Sequence, residues 1–210
     1  MKKLVLIGGG GHCKACIDVI EATEQYQIIG ILDKDFEKNE TILGYPILGN
    51  DDLMEELVSQ DILFFITVGQ IKSSNIRLKL FEKIKILGGK LVTIISPYAI
   101  ISKHTQIGEG SIMMHGSVAN ADSSIGKNVI INTKSLIEHD VSVGNHCHIS
   151  TNAVLNGGAI IHQNCFIGSS AVINQGVEIC SNTVIGSNST VIQNITKAGI
   201  YVGSPARPIH

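Results

Sequence analysis

The chain has no tryptophan, and aromatic residues make up only 4% of its 210 positions. Hydrophobic residues still reach 44%, so a core has to be built from stacked aliphatic side chains. An excess of either charge sign is also missing. The 16 lysines and arginines face 18 aspartates and glutamates, a net charge of −2, and no basic block stands out. That excludes the electrostatic footprint of a nucleic-acid binder and the basic amphipathic helix of a membrane-surface protein. No apolar run reaches the length of about 18 residues that a membrane span needs. The opening "MKKLVLIGGGGH" meets glycine too early for a signal-peptide core and carries no cleavage site. The cysteines (Cys13, Cys16, Cys147, Cys165 and Cys180) do not form an even set. Without a secretory signal they read as reduced thiols, which predicts a cytoplasmic protein.

What is present comes in two rhythms. Up to about residue 90, strand-like and helix-like segments alternate. "KLVLIG", "QIIGILD" and "ILFFITVG" read as strands. Helical stretches are expected at about 13–23, across "DDLMEELVS", and at about 74–87 up to Gly88-Gly89. Alternation of this kind predicts a parallel sheet with crossover helices, a small Rossmann-like domain over 1–92.

From Ile95 the period becomes six. Every sixth residue up to Val191 is apolar, mostly isoleucine, and the residue two places before each, from Thr93 to Ser189, is small or β-branched. A helix cannot use that pattern. Short strands stacked in a coil can, each sending one large and one small side chain inward. Three hexads close one triangular turn, so residues 18 apart stack at roughly the 4.8 Å strand spacing. Gly108, Asn120, Gly126, Asn132, Gly144, Asn156, Gly168, Asn174 and Gly186 follow the aliphatics. They are expected to turn the corners with positive φ, which glycine and asparagine tolerate best. The coil would fill 93–210.

The frame also orients the histidines. His139 lies two residues past inward Ile137, at a corner, so it points out of the core. It is either a solvated corner residue or a general base beside Asp140 or Glu138. "HCH" at 146–148 suggests a metal, but Cys147 faces inward while His146 and His148 face outward, so the three cannot converge on one ion. His115 and His162 have no acidic neighbour in sequence and read as structural, as His146 does. Ser169 and Ser187 stack 18 apart beside Gly168 and Gly186. Such a column could receive an extended pantetheine arm, or could simply be what a corner needs. "GGGGH" follows a strand and opens a helix, offering backbone N–H groups to an anion. A dinucleotide fingerprint would need glycine where Cys13 stands, so NAD is not expected. Cys13 and Cys16 form a C-x-x-C pair with no second pair to complete a zinc site.

The unbroken hexads, "GSPARPI" near the end and the "IGGGGH" opening resemble the hexapeptide-repeat acyltransferases. The nearer resemblance is to bacterial sugar acetyltransferases of the sialic-acid O-acetyltransferase and bacillosamine-pathway N-acetyltransferase group, carried by "INTKSLIEHD", "CHIS", "NCFIGS" and "TVIGS". The resemblance implies a left-handed parallel β-helix behind the Rossmann-like domain, a homotrimer, and acetyl-CoA as co-substrate with no metal. It implies His139 as base with Asp140 beside it. It further implies acetyl-CoA contacts at His148, Ser169, Ser187, Gly168 and Gly186. A sugar or nucleotide-sugar would meet Gly10, Gly11, His12, Asp33, Lys34, Gly69, Gln70 and Asn132. "INTKSLIEHD…ISTNAVLNGG" looks most like the sialic-acid branch, which makes a sialic-acid hydroxyl the expected acceptor. An amine on a UDP-4-amino-sugar is the alternative, and a metal-binding or scaffolding β-helix is the alternative of a different class.

Overall fold

A computed structural model describes residues 1–35, 40–71 and 73–209. The chain divides into two compact units, one made of Met1–Gly69 with Asn75–Ile94 and the other of Gln70–Ser74 with Ile95–His210.

In the first unit, β1 (Lys2–Ile7) buries Leu4 through Ile7 without interruption. Such a run suits a parallel strand covered on both faces. It pairs with β2 (Tyr26–Leu32) on one side and β5 (Leu63–Ile66) on the other, both parallel. The full order is β3-β4-β2-β1-β5-β6, with β3 (Thr41–Ile42), β4 (Tyr45–Gly49) and β6 (Lys90–Leu91). Strand order reverses between β1 and β5, which is where open α/β sheets present ligand crevices. Helix α1 (Gly11–Thr23) lays Cys13, Cys16, Ile17, Val19 and Ile20 onto the sheet. Two further helices follow, α2 (Met54–Ser59) and α3 (Asn75–Ile86). The β3–β4 hairpin, antiparallel through Thr41–Pro46 and Ile42–Tyr45, is not anticipated from the alternation of strands and helices. It turns at Leu43 and Gly44, both at positive φ.

The second unit is a left-handed parallel β-helix. Two-residue strands repeat every six residues and pair in parallel with strands 18 residues away, as Leu136↔Val154 and Ile137↔Leu155 do. They form three faces. The first runs through Ile130–Ile131 and His148–Ile149, the second through Leu136–Ile137 and Val154–Leu155, and the third through Ser142–Val143 and Ile160–Ile161. The large inward positions from Met113 to Val191 are buried, and so are the small ones from Ser111 to Ser189. Each buried isoleucine contributes roughly 1.5–3 kcal/mol. The frame begins less well than its sequence implies. Ile95 is 41% exposed, and Ile101 and Ile107 are only partly buried, because the first turn has no rung of this unit above it. An antiparallel hairpin, Ile200–Val202 with Arg207–Ile209, closes the other end.

Positive φ does repeat every six residues, but two positions later than expected. It falls at Gly110, Gly116, Asp122, Asn128, Lys134, Asp140, His146, Asn152, Gly158, Asn164, Ser170, Gly176, Asn182 and Asn188. None of the nine glycines and asparagines named for that role adopts it. Most of those glycines answer a different need. A Cβ on Gly168 would sit 2.5 Å from Ser187 N, and one on Gly144 would sit 2.7 Å from Gln163 N. The coils approach too closely there for any side chain.

Candidate active site

His139 stands at the corner between the second and third faces. Its Nδ1 is 2.7 Å from Asp140 Oδ2, and the two side chains are 59% and 64% exposed. A carboxylate only accepts, so Nδ1 carries the hydrogen and Nε2 keeps its lone pair. The hydrogen bond to Asp140 raises the His139 pKa above the ordinary histidine value, with smaller contributions from the charges of Asp140 and Glu138. Asp140 takes its place through the corner geometry, since its φ of 62° turns the chain and brings the short carboxylate back to the ring. Of the two acids considered as orienter, Glu138 is engaged elsewhere: its Oε2 accepts from Asn120 Nδ2 at 2.9 Å, one rung away.

Gly157, 18 residues after His139, is a site residue that the sequence reading overlooks. A Cβ there would lie 2.6 Å from His139 Cε1 and 2.7 Å from Nε2. The imidazole therefore rests directly over the glycine. The signal was its 18-residue spacing in "NGG".

His148 and Asn132 come together on the first face. His148 is 7% exposed. Its Nδ1 lies 2.7 Å from the Gln70 carbonyl oxygen and its Nε2 lies 3.1 Å from Asn132 Nδ2. Asn132 Oδ1 accepts from Thr133 N at 2.7 Å, which fixes the amide. His148 is thus the Nδ1–H tautomer with both nitrogens engaged inside the unit. Phe166 packs edge-on against it. The acetyl-CoA contact expected at His148 therefore meets a ring already committed. The substrate contact expected at Gln70 meets a buried side chain whose Nε2 donates to Cys165 O at 3.2 Å. His148 and Gln70 meet because Gln70–Ser74 groups with the coil, which spacing along the chain cannot reveal.

Ser169, Ser187, Gly168 and Gly186 form a column at the corner between the first and second faces, and Asn132 lies at the same corner. Ser169 Oγ lies 3.0 Å from Ser150 Oγ, and Ser187 is exposed. This column and the His139–Asp140 pair lie on opposite edges of the second face. One chain does not bring them together.

In the first unit the loops after β1, β2 and β5 meet at the strand ends. Of the four glycines, two have internal reasons to be glycine. Gly8 has φ +104° with Val68 Cγ2 2.4 Å from a would-be Cβ, and Gly9 packs on Ile42 and Asp33. Gly10 and Gly11 are exposed, with nothing within 4 Å of a would-be Cβ. Gly10 caps α1 without a side-chain bond, so the helix N-terminus opens to solvent there. Asp33 Oδ2 accepts from Gly9 N and Oδ1 from Asp35 N, so this carboxylate shapes the glycine loop. Lys34 reaches out to Asp35 at 3.5 Å. Gly69 lies against His12, whose Cβ is 3.5 Å from a would-be Cβ. Burial pushes the Cys13 thiol up to about 11 and the Cys16 thiol higher still, which leaves the C-x-x-C pair inert.

Three further histidines, His115, His146 and His162, have partners. His162, read as lacking an acidic neighbour, sits 2.7 Å from Glu178 Oε1 one rung on. His115 Nδ1 lies 2.7 Å from Ser96 Oγ, and His146 turns a corner with Nδ1 3.0 Å from Asn128 Nδ2. Among the described residues no three His, Cys, Asp or Glu side chains are arranged to hold a metal ion. Among the described residues no helix is long and apolar enough to cross a membrane.

Residues 3–84 match the family model described as the PglD N-terminal domain. Residues 122–157 and 158–193 match the bacterial transferase hexapeptide repeat. UDP-N-acetylbacillosamine N-acetyltransferase of Bacillus subtilis (strain 168) is 32% identical over 118 residues, which cover 54% of this chain and 52% of that relative, about half its length. Perosamine N-acetyltransferase from Caulobacter crescentus, a variant solved with CoA and GDP-perosamine, superposes with a TM-score of 0.93 at 31% identity, over 100% of this chain and 98% of that one. The acetyltransferase domain of PglB from Neisseria gonorrhoeae FA1090 gives 0.91 at 30% identity, covering 100% of both. With both halves matched and the full length superposed, the chain belongs to the hexapeptide-repeat acetyltransferases that carry a PglD-type N-terminal domain.

Proposed function

We propose that the protein transfers the acetyl group of acetyl-CoA to the amine of a nucleotide-linked amino sugar, with His139 as general base. The observation that carries this is the His139–Asp140 pair, because the Nδ1–H bond to the carboxylate leaves Nε2 free to take a proton. The ammonium form of the acceptor first loses a proton to solvent. The free amine then attacks the thioester carbon while Nε2 accepts its second proton. The tetrahedral adduct breaks its C–S bond, and the imidazolium returns the proton to sulfur, so CoA departs as the thiol. Asp140 holds the ring in one tautomer and stabilises the imidazolium.

The amine is preferred to the sialic-acid hydroxyl because of the relatives. Two of those just described are named as UDP-N-acetylbacillosamine and perosamine N-acetyltransferases, and one of them was solved with CoA and a GDP-linked sugar. The exposed Gly10–Gly11 corner, the α1 N-terminus and Gly69 would receive the nucleotide part.

The active assembly is a homotrimer. The second face presents Val118, Leu136, Val154 and Val172 outward as a half-buried apolar stripe. The base lies on one edge of that face and the Ser169–Ser187 column on the other, so joining copies across this face puts one chain's base beside a neighbour's column. Acetyl-CoA would then lie between them.

A thiol-release assay with acetyl-CoA tests the acceptor. UDP- and GDP-linked 4-amino-sugars, free sialic acid and CMP-sialic acid are offered in parallel. Release with an amino-sugar alone is expected; release with a sialic acid alone would reassign the acceptor to a hydroxyl.

A further inference from the structure

The loop that leaves β5 passes over a side chain near the start of α3 that the amphipathic pattern leaves unremarked. Arg77 is 1% exposed. Its Nη1 donates to the carbonyl oxygens of Ile66 at 3.0 Å and Val68 at 2.6 Å. Burial brings its pKa down to about 10, so it stays cationic at neutral pH.

A trans peptide points its C=O and the following N–H in opposite directions. With Ile66 O turned onto the guanidinium, the Thr67 N–H must face away, and it donates to Ile7 O at 2.9 Å. The same rule applies one peptide further on: with Val68 O turned onto Arg77, the Gly69 N–H points away from it. Gly69 is exposed and lies against His12, next to the open Gly10–Gly11 corner. On the other wall of the corner, the Cys16 sulfur lies 3.4 Å from His12 Nε2. The buried cation therefore holds one wall of this corner, the β5 loop, through two carbonyls.

Resting on the reading of this unit as the nucleotide-sugar site, we infer that Arg77 is its positioning residue, fixing the peptide planes of residues 66–69 so that the Gly69 N–H meets a nucleoside diphosphate. Arginine suits the task because its planar, always-protonated fork fixes direction as well as charge.

The test uses the full chain. Calorimetric binding of UDP and GDP is measured for the wild type, Arg77→Lys and Arg77→Met, with steady-state kinetics in both substrates. Loss of one well-placed donor predicts about a 10-fold rise in diphosphate Kd and nucleotide-sugar KM for Arg77→Met. Arg77→Lys should fall between the two. The acetyl-CoA KM and kcat should stay within about two-fold, because His139 and the coil are untouched. A folded Arg77→Met with unchanged diphosphate affinity would overturn the inference, as would equal losses in both KM values and kcat. If Arg77→Met does not fold, Arg77→Lys decides by the same split. Wild-type protein that binds neither diphosphate would overturn the reading beneath, and the inference with it. Wild-type binding with unaltered variants would overturn the inference alone.

Discussion

At His139, the adjacent carboxylate does two measurable things. It holds the hydrogen on Nδ1, and it raises the ring pKa through that hydrogen bond. Since the base works unprotonated, activity should rise with pH through a pKa above the ordinary histidine value near 6.5. Asp140→Asn removes the charge, so the acid limb of the kcat/KM profile should move to lower pH while the plateau falls by roughly 10-fold or more. The variant should fold, because asparagine already occupies equivalent positive-φ corners at Asn128, Asn152, Asn164, Asn182 and Asn188. An unmoved limb would mean that another group titrates. Gly157→Ala probes the same ring from below. Its methyl would displace the imidazole, and displacement on this scale costs on the order of 100-fold in kcat. Kinetics at saturating acetyl-CoA would show it. His139 is legible from the sequence because its corner follows from the six-residue frame alone. The engagement of His148 with Gln70, the His162–Glu178 pair and the burial of Arg77 are not legible. Each depends on a partner brought close by another rung or by a folded-back segment.

The elements separate two uses of glycine that look alike along the chain. Positive-φ glycines such as Gly110 and Gly158 turn corners, whereas Gly168 is glycine because the neighbouring coil's backbone is 2.5 Å from its would-be Cβ. Backbone cannot step aside as a side-chain end can. Gly168→Ala is therefore expected to destabilise the coil by about 1–3 kcal/mol through overpacking. Gly157→Ala, whose nearest contacts are all on the movable His139 ring, should leave stability nearly unchanged. Denaturation midpoints of the two variants measured side by side give the comparison. The aliphatic frame from Met113 to Val191 was readable because burial enforces it at every step. The corner conformation was not, because asparagine and glycine recur at two positions of the hexad for different reasons. The β3–β4 hairpin is not legible in the sequence because its strands are short and one holds Pro46.

For the whole molecule, the proposed trimer predicts that charge on the second face is intolerable. Leu136→Lys should yield a folded monomer in sedimentation and abolish acetyl transfer, although His139 and Asp140 are unaltered. A trimeric or active variant would place the interface on another face. Mass spectrometry of the product tests transfer to an amine through His139. Wild-type protein is given acetyl-CoA with a nucleotide-linked 4-amino-sugar and with sialic acid, and each product is then treated with mild base. One added acetyl group is expected on the amino-sugar, surviving base as an amide, with none on sialic acid and a loss of about 100-fold or more in His139→Ala. A base-labile acetyl ester on sialic acid, or transfer by His139→Ala at the wild-type rate, would contradict it.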